Sequence, residues 1–347
     1  MYRIDPTKDE RWTSFVEKNP QASVFHTRAW LQSLQGTYGY EPVGFTDSPP
    51  GRELKNTIVF CQINSWLTGR RLVSLPFSDH CELLCGSAEE AKHLLRNLQV
   101  ELKTRQCKYL ELRPLDDTKS GILGELGFKA AATYLLHVLD LTPDLDTIFR
   151  RFDKDSVRRR VDRANRAGLV EKIGTSDELL EDFYGLFVLT RARQRLPPIP
   201  AAWFRNLVKH LGPVLQIRLA YKEHVPISAI ITLQFKDTVF YKYGCSNARF
   251  NKYGATPWIF WHSITAAKSA GATRFDFGRT EPDNPGLLAF KNNWVPQARR
   301  ITYWKYPATS AFISLGGWKL KLAKRAFSCM PTSVLRMTGK MIYRHIG

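Results

Sequence analysis

Three consecutive runs, 214-VLQIRLAY-221, 227-ISAIITLQF-235 and 238-TVFYKYG-244, are rich in β-branched and aromatic residues and are bounded by Gly, Pro and Asp. A helical pattern over about 257–270 follows, and then a fourth run, 273-TRFDFG-278. This composition predicts three meandering strands, a helix and a further strand. The order indicates an α+β domain with a mixed, mostly antiparallel sheet flanked by helices.

The first half of the chain has the same order of elements, roughly 170 residues earlier. Strand-like runs lie at 41-EPVGF-45, 57-TIVFCQI-63 and 71-RLVSLP-76, and a helical pattern over about 89–105 precedes 108-KYLELRP-114. In each half a helix that begins at an Ala-Trp pair comes first; the first of these, at Ala29 and Trp30, is predicted to end near Gly36. We therefore predict tandem copies of one fold, a first domain at 1–140 and a second at 141–307.

Matching helices of the two halves carry similar apolar stripes. These are Leu94, Leu95, Leu98 and Leu102 in the first half, and Ile259, Phe260, Ile264 and Ala267 in the second. Because apolar residues at this spacing share one side of a helix, we expect each stripe to pack on the sheet of its own domain.

Positive charge increases along the chain. Lys and Arg minus Asp and Glu give 17 − 17 = 0 for residues 1–140, 23 − 15 = +8 for 141–283 and 11 − 0 = +11 for 284–347, which add to the net charge of +19. With 44% hydrophobic and 24% charged residues, the composition excludes disordered and fibrous classes. The sequence contains no apolar run of about 18 residues and no signal-peptide pattern at its start. We expect a cytoplasmic protein whose six scattered cysteines are reduced thiols.

Residues 145–168 connect the two domains. Apolar stripes on either side of a break at 153–156 predict two short helices, the second capped by Asp155 or Ser156 and ended by Gly168.

This connector is also the most basic helical segment of the chain. Between Arg150 and Arg166 there are eight basic side chains and three acidic ones. Arg158 and Arg159 belong to a run of three adjacent arginines, which favours an anionic partner. The alternative is a solvated surface without a binding role.

Several short segments resemble landmarks of the Fem family, in its FemAB-like branch. They are 138-VLDL-141, 158-RRRVDRANRAGLV-170, 238-TVFYKYGCSN-247, 273-TRFDFGR-279 and 286-GLLAFKNNW-294. The resemblance covers about residues 20–307 and implies tandem GNAT-type acyltransferase domains. Members of that family move amino acids from aminoacyl-tRNA onto peptidoglycan precursors.

Acyl transfer to an amine needs a donor aimed at the developing oxyanion and a path for the proton that leaves the nitrogen. The resemblance places Lys291 on the functional lysine of the family, where it would stabilise negative charge or a phosphate. Asp276, between two phenylalanines of a short strand, is the candidate that orients the amine or accepts its proton. The structural alternatives are a surface lysine at a helix end and an ion pair of Asp276 with Arg274 or Arg279.

The end of the strand at 238–244 supplies further candidates. In this fold, such a strand end is where backbone groups meet the acyl donor. By the two-residue period of a strand, Tyr241 and Tyr243 share one side and Lys242 takes the other. Lys242, Tyr243 and Arg279 are therefore candidate substrate-binding residues, and core tyrosines are the alternative.

In the first domain, 76-PFSDHCELLC-85 follows a strand and holds Asp79 and His80, which the resemblance suggests line the substrate. The Arg-Gly-Pro pattern common in Fem enzymes is missing there, which leaves the peptide precursor open as a substrate. His80 with Cys81 and Cys85 fits no zinc spacing, and we predict no metal site.

Arg191 is a candidate phosphate-binding residue, because it opens an arginine-rich segment before the stiff turn of 190-TRARQRLPPIP-200. The structural alternative for this charge run is an exposed, neutral role.

Enzymes of the GNAT type that use coenzyme A hold its pyrophosphate at a Gly-rich helix start. The equivalent stretch here, 249-RFNKYGATPW-258, has one glycine in place of two and Asn251 in place of Arg or Gln. This weakens acyl-CoA as the donor without excluding it. The sequence has no Walker A, dinucleotide-binding, HExxH or nucleophile-elbow motif.

Residues 308–347 predict two basic amphipathic helices divided at Pro331. Such helices suit anionic lipid headgroups. The alternative is that their apolar stripes pack on the second domain.

These features favour an N-acyltransferase that moves an aminoacyl group, with aminoacyl-tRNA as donor, to an amine of a lipid-linked or nucleotide-linked envelope precursor. No cofactor is expected to be bound, and the protein is expected in the cytoplasm, with a peripheral contact at the inner face of the membrane through 308–347. One alternative is an acyl-CoA-dependent enzyme acting on an exopolysaccharide or amino sugar. Another, motivated by a pI of about 9.8, is a non-catalytic membrane-binding or nucleic-acid-binding protein, although no DNA-recognition motif supports it.

Overall fold

The computed structural model describes residues 1–104, 106–115, 120–307, 339 and 342–345. These residues form two compact units. Unit 1 contains 1–134 with the later segments 300–307 and 342–345, and unit 2 contains 135–299 with 339. The sequence boundaries at 140 and 307 thus differ from those of the units, because residues 300–307 belong with the first one.

Unit 1 contains a sheet in the order β1-β2-β3-β4-β5-β12. Its elements are β1 (Tyr2–Ile4), α1 (Arg11–Lys18), α2 (Arg28–Tyr38), β2 (Glu41–Thr46), β3 (Thr57–Ser65), β4 (Gly69–Val73), α3 (Ala88–Thr104), β5 (Tyr109–Leu112), α4 (Ser120–Glu125) and β12 (Arg299–Tyr306). The strand β6 (Lys129–Asp140) begins in unit 1 and ends in unit 2. β4 and β5 run parallel, and β1 to β4 are antiparallel neighbours.

The leucine stripe of α3 is buried as predicted. Leu94, Leu95 and Leu98 are at most 1% exposed and pack with apolar side chains of β2, β3 and β5. The predicted end of α2 at Gly36 is wrong: the helix continues to Tyr38, and Gly39 ends it in the left-handed conformation at φ +69°.

Unit 2 has a sheet in the order β6-β11-β10-β9-β8-β7. Its elements are α5 (Leu145–Arg151), α6 (Arg159–Arg166), β7 (Val170–Gly174), α7 (Asp177–Arg193), α8 (Ala201–Leu211), β8 (Leu215–Lys222), β9 (Val225–Phe235), β10 (Thr238–Ser246), α9 (Ala255–Ser269), β11 (Arg274–Thr280) and α10 (Pro285–Asn292). Only the β10–β11 pair is parallel among the strand pairs described for this unit. The mixed, mostly antiparallel sheet is therefore confirmed, as is the burial of the α9 stripe.

A β-bulge in β10 separates the two tyrosines that the sequence placed on one side. Tyr241 pairs with Thr232 and Tyr243 with Ile231, so Lys242 is an extra residue opposite no partner. Tyr241 consequently packs on Phe260 of α9, with ring centroids 4.7 Å apart, whereas the hydroxyl of Tyr243 accepts a hydrogen bond from Trp203 of α8. The prediction that both rings share one side is wrong, because the bulge shifts the strand period by one residue.

The connector contains α5 and α6 with a short π-helical turn, Lys154–Arg158, between them. Its capping residue is Asp153, whose side chain accepts from the backbone N–H groups of Asp155 and Ser156, and not Asp155 or Ser156 as predicted. The apolar residues of the connector, including Ile148, Val157 and Val161, are buried in the core of unit 2.

The predicted helices at 308–347 lie outside the described residues, apart from 339 and 342–345. In the described parts of the chain, no helix has both the length and the apolar character needed to span a membrane. The five cysteines in those parts are free thiols, and Cys329 is not among them.

Candidate active site

The strands β10 and β11 part at their carboxyl ends. Their described register consists of three pairs, from Thr238 with Arg274 to Phe240 with Asp276, although β10 continues to Ser246 and β11 to Thr280. Ligands of sheets with parallel strands bind beyond the carboxyl ends of those strands. The divergence therefore marks a candidate site in unit 2.

A wide bulge in β11 lies at this point of divergence. Asp276 pairs with Val138 of β6 and Arg279 with Leu136, so two residues, Phe277 and Gly278, stand opposite His137. Gly278 has φ +73°, a conformation that strongly favours glycine. The carboxylate of Asp276 fixes the bulge by accepting from Gly278 N at 2.6 Å.

Lys291 holds the same bulge from the opposite side. Asn284 caps α10 and Pro285 opens it, which places Lys291 in the last turn of this helix. Its side chain is buried, and Nζ donates to Gly278 O at 2.7 Å and to Arg279 O at 3.0 Å. Two of the three ammonium donors thus go to backbone carbonyls, so the positive charge of Lys291 lies at the parted strand ends and the lysine is not a surface residue.

Asp276 is also buried, at 4% exposed. Arg274, which the sequence offered as an ion-pair partner of Asp276, binds Asp237 at 2.8 Å at the other end of β11. A carboxylate and an ammonium therefore hold one bulge of unit 2, as the assignment of Asp276 and Lys291 to one site requires.

His137 is a member of this cluster that the sequence reasoning did not identify. The side chain is fully buried, and Nε2 donates to Asn292 Oδ1 at 2.8 Å. Burial lowers the pKa of His137, and the charge of Lys291 lowers it further, against the opposing effects of Asn292 and Asp276. The sequence signal that could have identified it is a histidine within the apolar strand 135-LLHVLDL-141, directly before the Fem-like segment 138-VLDL-141.

Two buried polar atoms at the bulge have no hydrogen-bond partner among the described residues. They are Nδ1 of His137 and Oγ1 of Thr280, the last residue of β11. Buried polar atoms are usually paired, so unpaired atoms at one place favour occupancy by water or by a polar group of a ligand.

The other candidates on β10 have structural contacts as well. Tyr243 packs against Phe204, with centroids 5.1 Å apart, and Nζ of Lys242 lies 5.8 Å from the centre of the Tyr243 ring. Gly244 has no room for a side chain, because a Cβ there would lie 2.3 Å from the hydroxyl of Tyr241. Both Lys242 and Tyr243 are half-buried, on the strand that diverges from β11.

The arginines of α6 form a basic surface next to the start of α9. Arg163 donates to Lys252 O at 3.2 Å, and Asn165 accepts from Trp258 Nε1 at 2.8 Å, which fixes α6 against the turn before α9. The exposed basic residues of this surface are Arg159, Arg160, Arg163, Arg166, Arg249 and Lys252. Arg159 is also paired with Asp155 at the surface, and Arg158 is half-buried.

The described contacts of Arg191 are with residues of α7 and of the segment that follows it, and not with α6. Its guanidinium donates twice to Pro197 O, at 3.3 Å each, and stacks 5.9 Å from the ring of Phe187. These contacts tie the end of α7 to the proline-rich segment that follows it.

Asp79 and His80 belong to unit 1. The backbone carbonyl of Asp79 accepts from the hydroxyl of Tyr303 at 2.7 Å, and the buried ring of His80 packs edge-on against Phe25. In the described part of the chain, no group of three or more His, Cys, Asp or Glu side chains could hold a metal ion.

The nearby pair of Cys81 and His26 is not an activated nucleophile. Cys81 Sγ lies 3.4 Å from His26 Nε2. Burial raises the pKa of Cys81 to about 12 and lowers that of His26 to about 4, so both groups stay neutral near pH 7.

Comparison with known proteins supports a transferase. Residues 151–292 match the acetyltransferase (GNAT) domain family, a range that includes Lys242, Asp276 and Lys291. No curated protein has a significant sequence match to the chain.

Solved structures extend the likeness over both units. FemX is 15% identical, with a TM-score of 0.68 over 88% of this chain and 97% of its own. The C-terminal domain of a putative lysylphosphatidylglycerol synthetase from Agrobacterium fabrum is 14% identical, with a TM-score of 0.60 over 92% and 95%. A tandem GNAT protein from the clavulanic acid biosynthesis pathway is 10% identical, with a TM-score of 0.55 over 89% and 98%. The family match over 151–292 supports an acyltransferase of the GNAT type, and the chain as a whole shares the tandem fold of these solved structures.

Proposed function

We propose that the protein transfers an aminoacyl group from aminoacyl-tRNA to an amine of a cell-envelope precursor. The observation that carries this proposal is that the buried side chains of Lys291 and Asp276 both bind the backbone of the β11 bulge, where β10 and β11 diverge. The fold of the chain is also similar to that of FemX, which agrees with the sequence resemblance to the Fem family.

The reaction needs a positive charge and a proton path, and the bulge offers both. The substrate amine forms a bond to the carbonyl carbon of the aminoacyl ester while the ester C–O bond breaks. The nitrogen loses one proton and the ribose oxygen of the tRNA gains one. In this proposal the charge of Lys291 lowers the energy of the developing oxyanion, and Asp276 is the candidate proton acceptor.

The basic surface of α6 and the turn before α9 supports a polyanionic donor. Its six exposed cationic side chains offer contacts to a phosphate backbone. The alternative donor, acyl-CoA, is favoured by the match to the acetyltransferase family over 151–292. Against that donor, Gly254 is the only glycine of the turn, and the carbonyl of Arg160 would lie 2.3 Å from a Cβ there.

We place the protein in the cytoplasm, at the inner face of the membrane where a lipid-linked precursor would be found. A nucleotide-linked precursor is the alternative acceptor, and an exopolysaccharide or amino sugar would be the acceptor of the acyl-CoA reaction.

The test is transfer of label from aminoacyl-tRNA and, separately, from acyl-CoA to total lipid-linked and nucleotide-linked precursors. Label that moves only from aminoacyl-tRNA supports the proposal, label that moves only from acyl-CoA supports the alternative, and no transfer from either contradicts both.

Substitution tests the site assignment in the same assay. We expect Lys291→Met to lower turnover by about 10²–10³, the usual effect of losing an oxyanion donor. Lys268→Met is the matched control, because Lys268 also lies in unit 2 and donates to two carbonyls, of Leu141 and Thr142. Equal turnover of the two variants would remove Lys291 from the mechanism.

A further inference from the structure

The β3–β4 hairpin of unit 1 ends in an exposed apolar tip. Ser65 pairs with Gly69, and the connecting residues 66–68 include Trp66, which is 85% exposed, and Leu67, which is 56% exposed. Ser65 Oγ accepts from the backbone N–H groups of Leu67 and Thr68, so this turn has a fixed shape. A tryptophan exposed to this extent, beside an exposed leucine, is unusual on a protein surface and favours contact with an apolar partner such as a protein or a membrane.

Cationic side chains surround this tip. Arg70 is exposed beside it, and the exposed Lys108 lies so close to Gly69 that a Cβ there would be 2.5 Å from its Cε. Exposed Arg344 comes from the C-terminal segment described below. Glu41 is an acidic neighbour of the hairpin, and its carboxylate accepts from Gln62 and Asn64 on β3.

The C-terminal segment 342–345 is fixed to the same hairpin. The carbonyl of His345 accepts from Arg71 at 2.7 Å, and its ring lies edge-on to Trp66, with centroids 5.6 Å apart. Tyr40 donates to Tyr343 O at 2.8 Å.

We infer that the tip, residues 65–69 with Arg70, Lys108 and Arg344, is a contact surface for an anionic lipid membrane. Tryptophan and leucine enter the boundary between headgroups and acyl chains, where the ring is amphipathic enough to reside. The surrounding cations bind anionic headgroups. Two protruding apolar side chains with three exposed cations nearby match the apolar and anionic layers of such a membrane. The inference stands apart from the proposed donor and acceptor.

The test is sedimentation of the full chain with vesicles of phosphatidylcholine alone and of phosphatidylcholine mixed with phosphatidylglycerol. We expect binding to the anionic vesicles, weakened by salt, and at least tenfold weaker binding for Trp66→Ser with Leu67→Ser. The matched control is Val100→Ser with Leu189→Ser, two other exposed apolar residues, which should bind as the parent does. Because this control and the test variant both keep the C-terminal residues, a loss restricted to the hairpin variant belongs to the tip.

One charge variant and a probe complete the test. Arg70→Gln should weaken binding roughly fivefold, as expected for one cation near a charged surface. A polarity-sensitive fluorophore on Leu67→Cys, in a background with Cys107→Ser and Cys329→Ser, should shift to shorter wavelength with anionic vesicles. Unchanged sedimentation of the hairpin variant, or its loss of self-association instead of vesicle binding, would overturn the inference. Neither result depends on acyl transfer, so it is separate from failure of the proposed function.

Discussion

The two units use the same place in the repeated fold differently. In each, the last strand of the meander runs parallel to the strand that follows the helix, and three register pairs join them. In unit 1, the segment after β4 bridges to the residue after β5, and Cys81 N donates to Arg113 O at 2.7 Å. We call this place, where β4 and β5 end, the filled gap of unit 1. In unit 2, β10 and β11 diverge in the described residues, and Lys291 and Asp276 hold the bulge there.

Electrostatics separates the two places further. Arg113 of unit 1 binds Glu111 at 2.8 Å and Leu75 O at 2.9 Å, and Lys305 binds Glu111 at 3.1 Å. Two cations thus share one buried carboxylate at this place in unit 1. In unit 2, Asp276 and Lys291 bind backbone groups of the bulge, and Nδ1 of His137 and Oγ1 of Thr280 have no partner among the described residues. This difference is why we propose the acyl-transfer site in unit 2 and expect a structural role for the matching place in unit 1.

The largest expected effect is on the filled gap of unit 1. Arg113→Met should lower the free energy of unfolding by about 3 kcal/mol, because the buried Glu111 loses one of its two described ion-pair partners. Denaturant unfolding measures this loss, and turnover per folded molecule should stay at the parent value.

The matched control is Arg274→Met, which removes a more exposed ion pair with Asp237 and should cost at most about 1 kcal/mol. A severe loss of turnover in folded Arg113→Met protein would contradict the structural role of unit 1.

Asp276→Asn tests the charge at the site of unit 2 without changing its shape. The amide oxygen can still accept from Gly278 N, so the bulge should keep its shape. If the carboxylate accepts the amine proton, turnover should fall by about 10². Asp237→Asn, in the turn between β9 and β10, is the control, because Asp237 also accepts hydrogen bonds near β11. Full turnover of Asp276→Asn would leave Asp276 a turn-forming residue only.

The sequence predicts most of the fold because its strands and helices have clear periods. The runs at 57–63 and 227–235 lie within the observed β3 and β9, and the stripes of α3 and α9 are buried. The amphipathic period of these elements depends on local sequence alone, which is why it survives in both copies.

The site is harder to predict, because its geometry depends on two bulges. The bulge at Lys242 reverses the side on which Tyr243 lies, and the one at Phe277 and Gly278 turns two carbonyls towards Lys291. A bulge adds a residue without a strong sequence signal. His137 was missed for a related reason: its role comes from β6 lying opposite the bulge, which is a long-range pairing.

Gly278→Ala breaks the bulge through the backbone. The left-handed conformation costs an alanine about 1–2 kcal/mol, and the strain falls where Lys291 binds. Gly271→Ala is the control, because it has φ +83° with no atom within 4 Å of a Cβ. We expect similar losses of stability in both and a loss of turnover, about tenfold, in Gly278→Ala alone. Equal turnover would show that the bulge does not position the reacting groups.

The smallest expected effect compares the buried histidines His26 and His137. In unit 1, Nδ1 of His26 accepts from Ser23 N and Nε2 donates to Glu82 O, so protonation at Nδ1 breaks a bond. Its pKa of about 4 lies below that of the unfolded chain, near 6.5, so the unfolded state takes up the proton first. Stability should therefore fall by about 1 kcal/mol between pH 7 and 5.5, and His26→Gln should remove that slope in urea titrations. His137 has a lowered pKa too, so His137→Gln should reduce the slope in the same direction. Protonation of Nδ1 of His137 breaks no described hydrogen bond, so His137 should contribute less to the pH dependence of stability than His26. A larger contribution from His137 would mean that a water or another group binds its Nδ1.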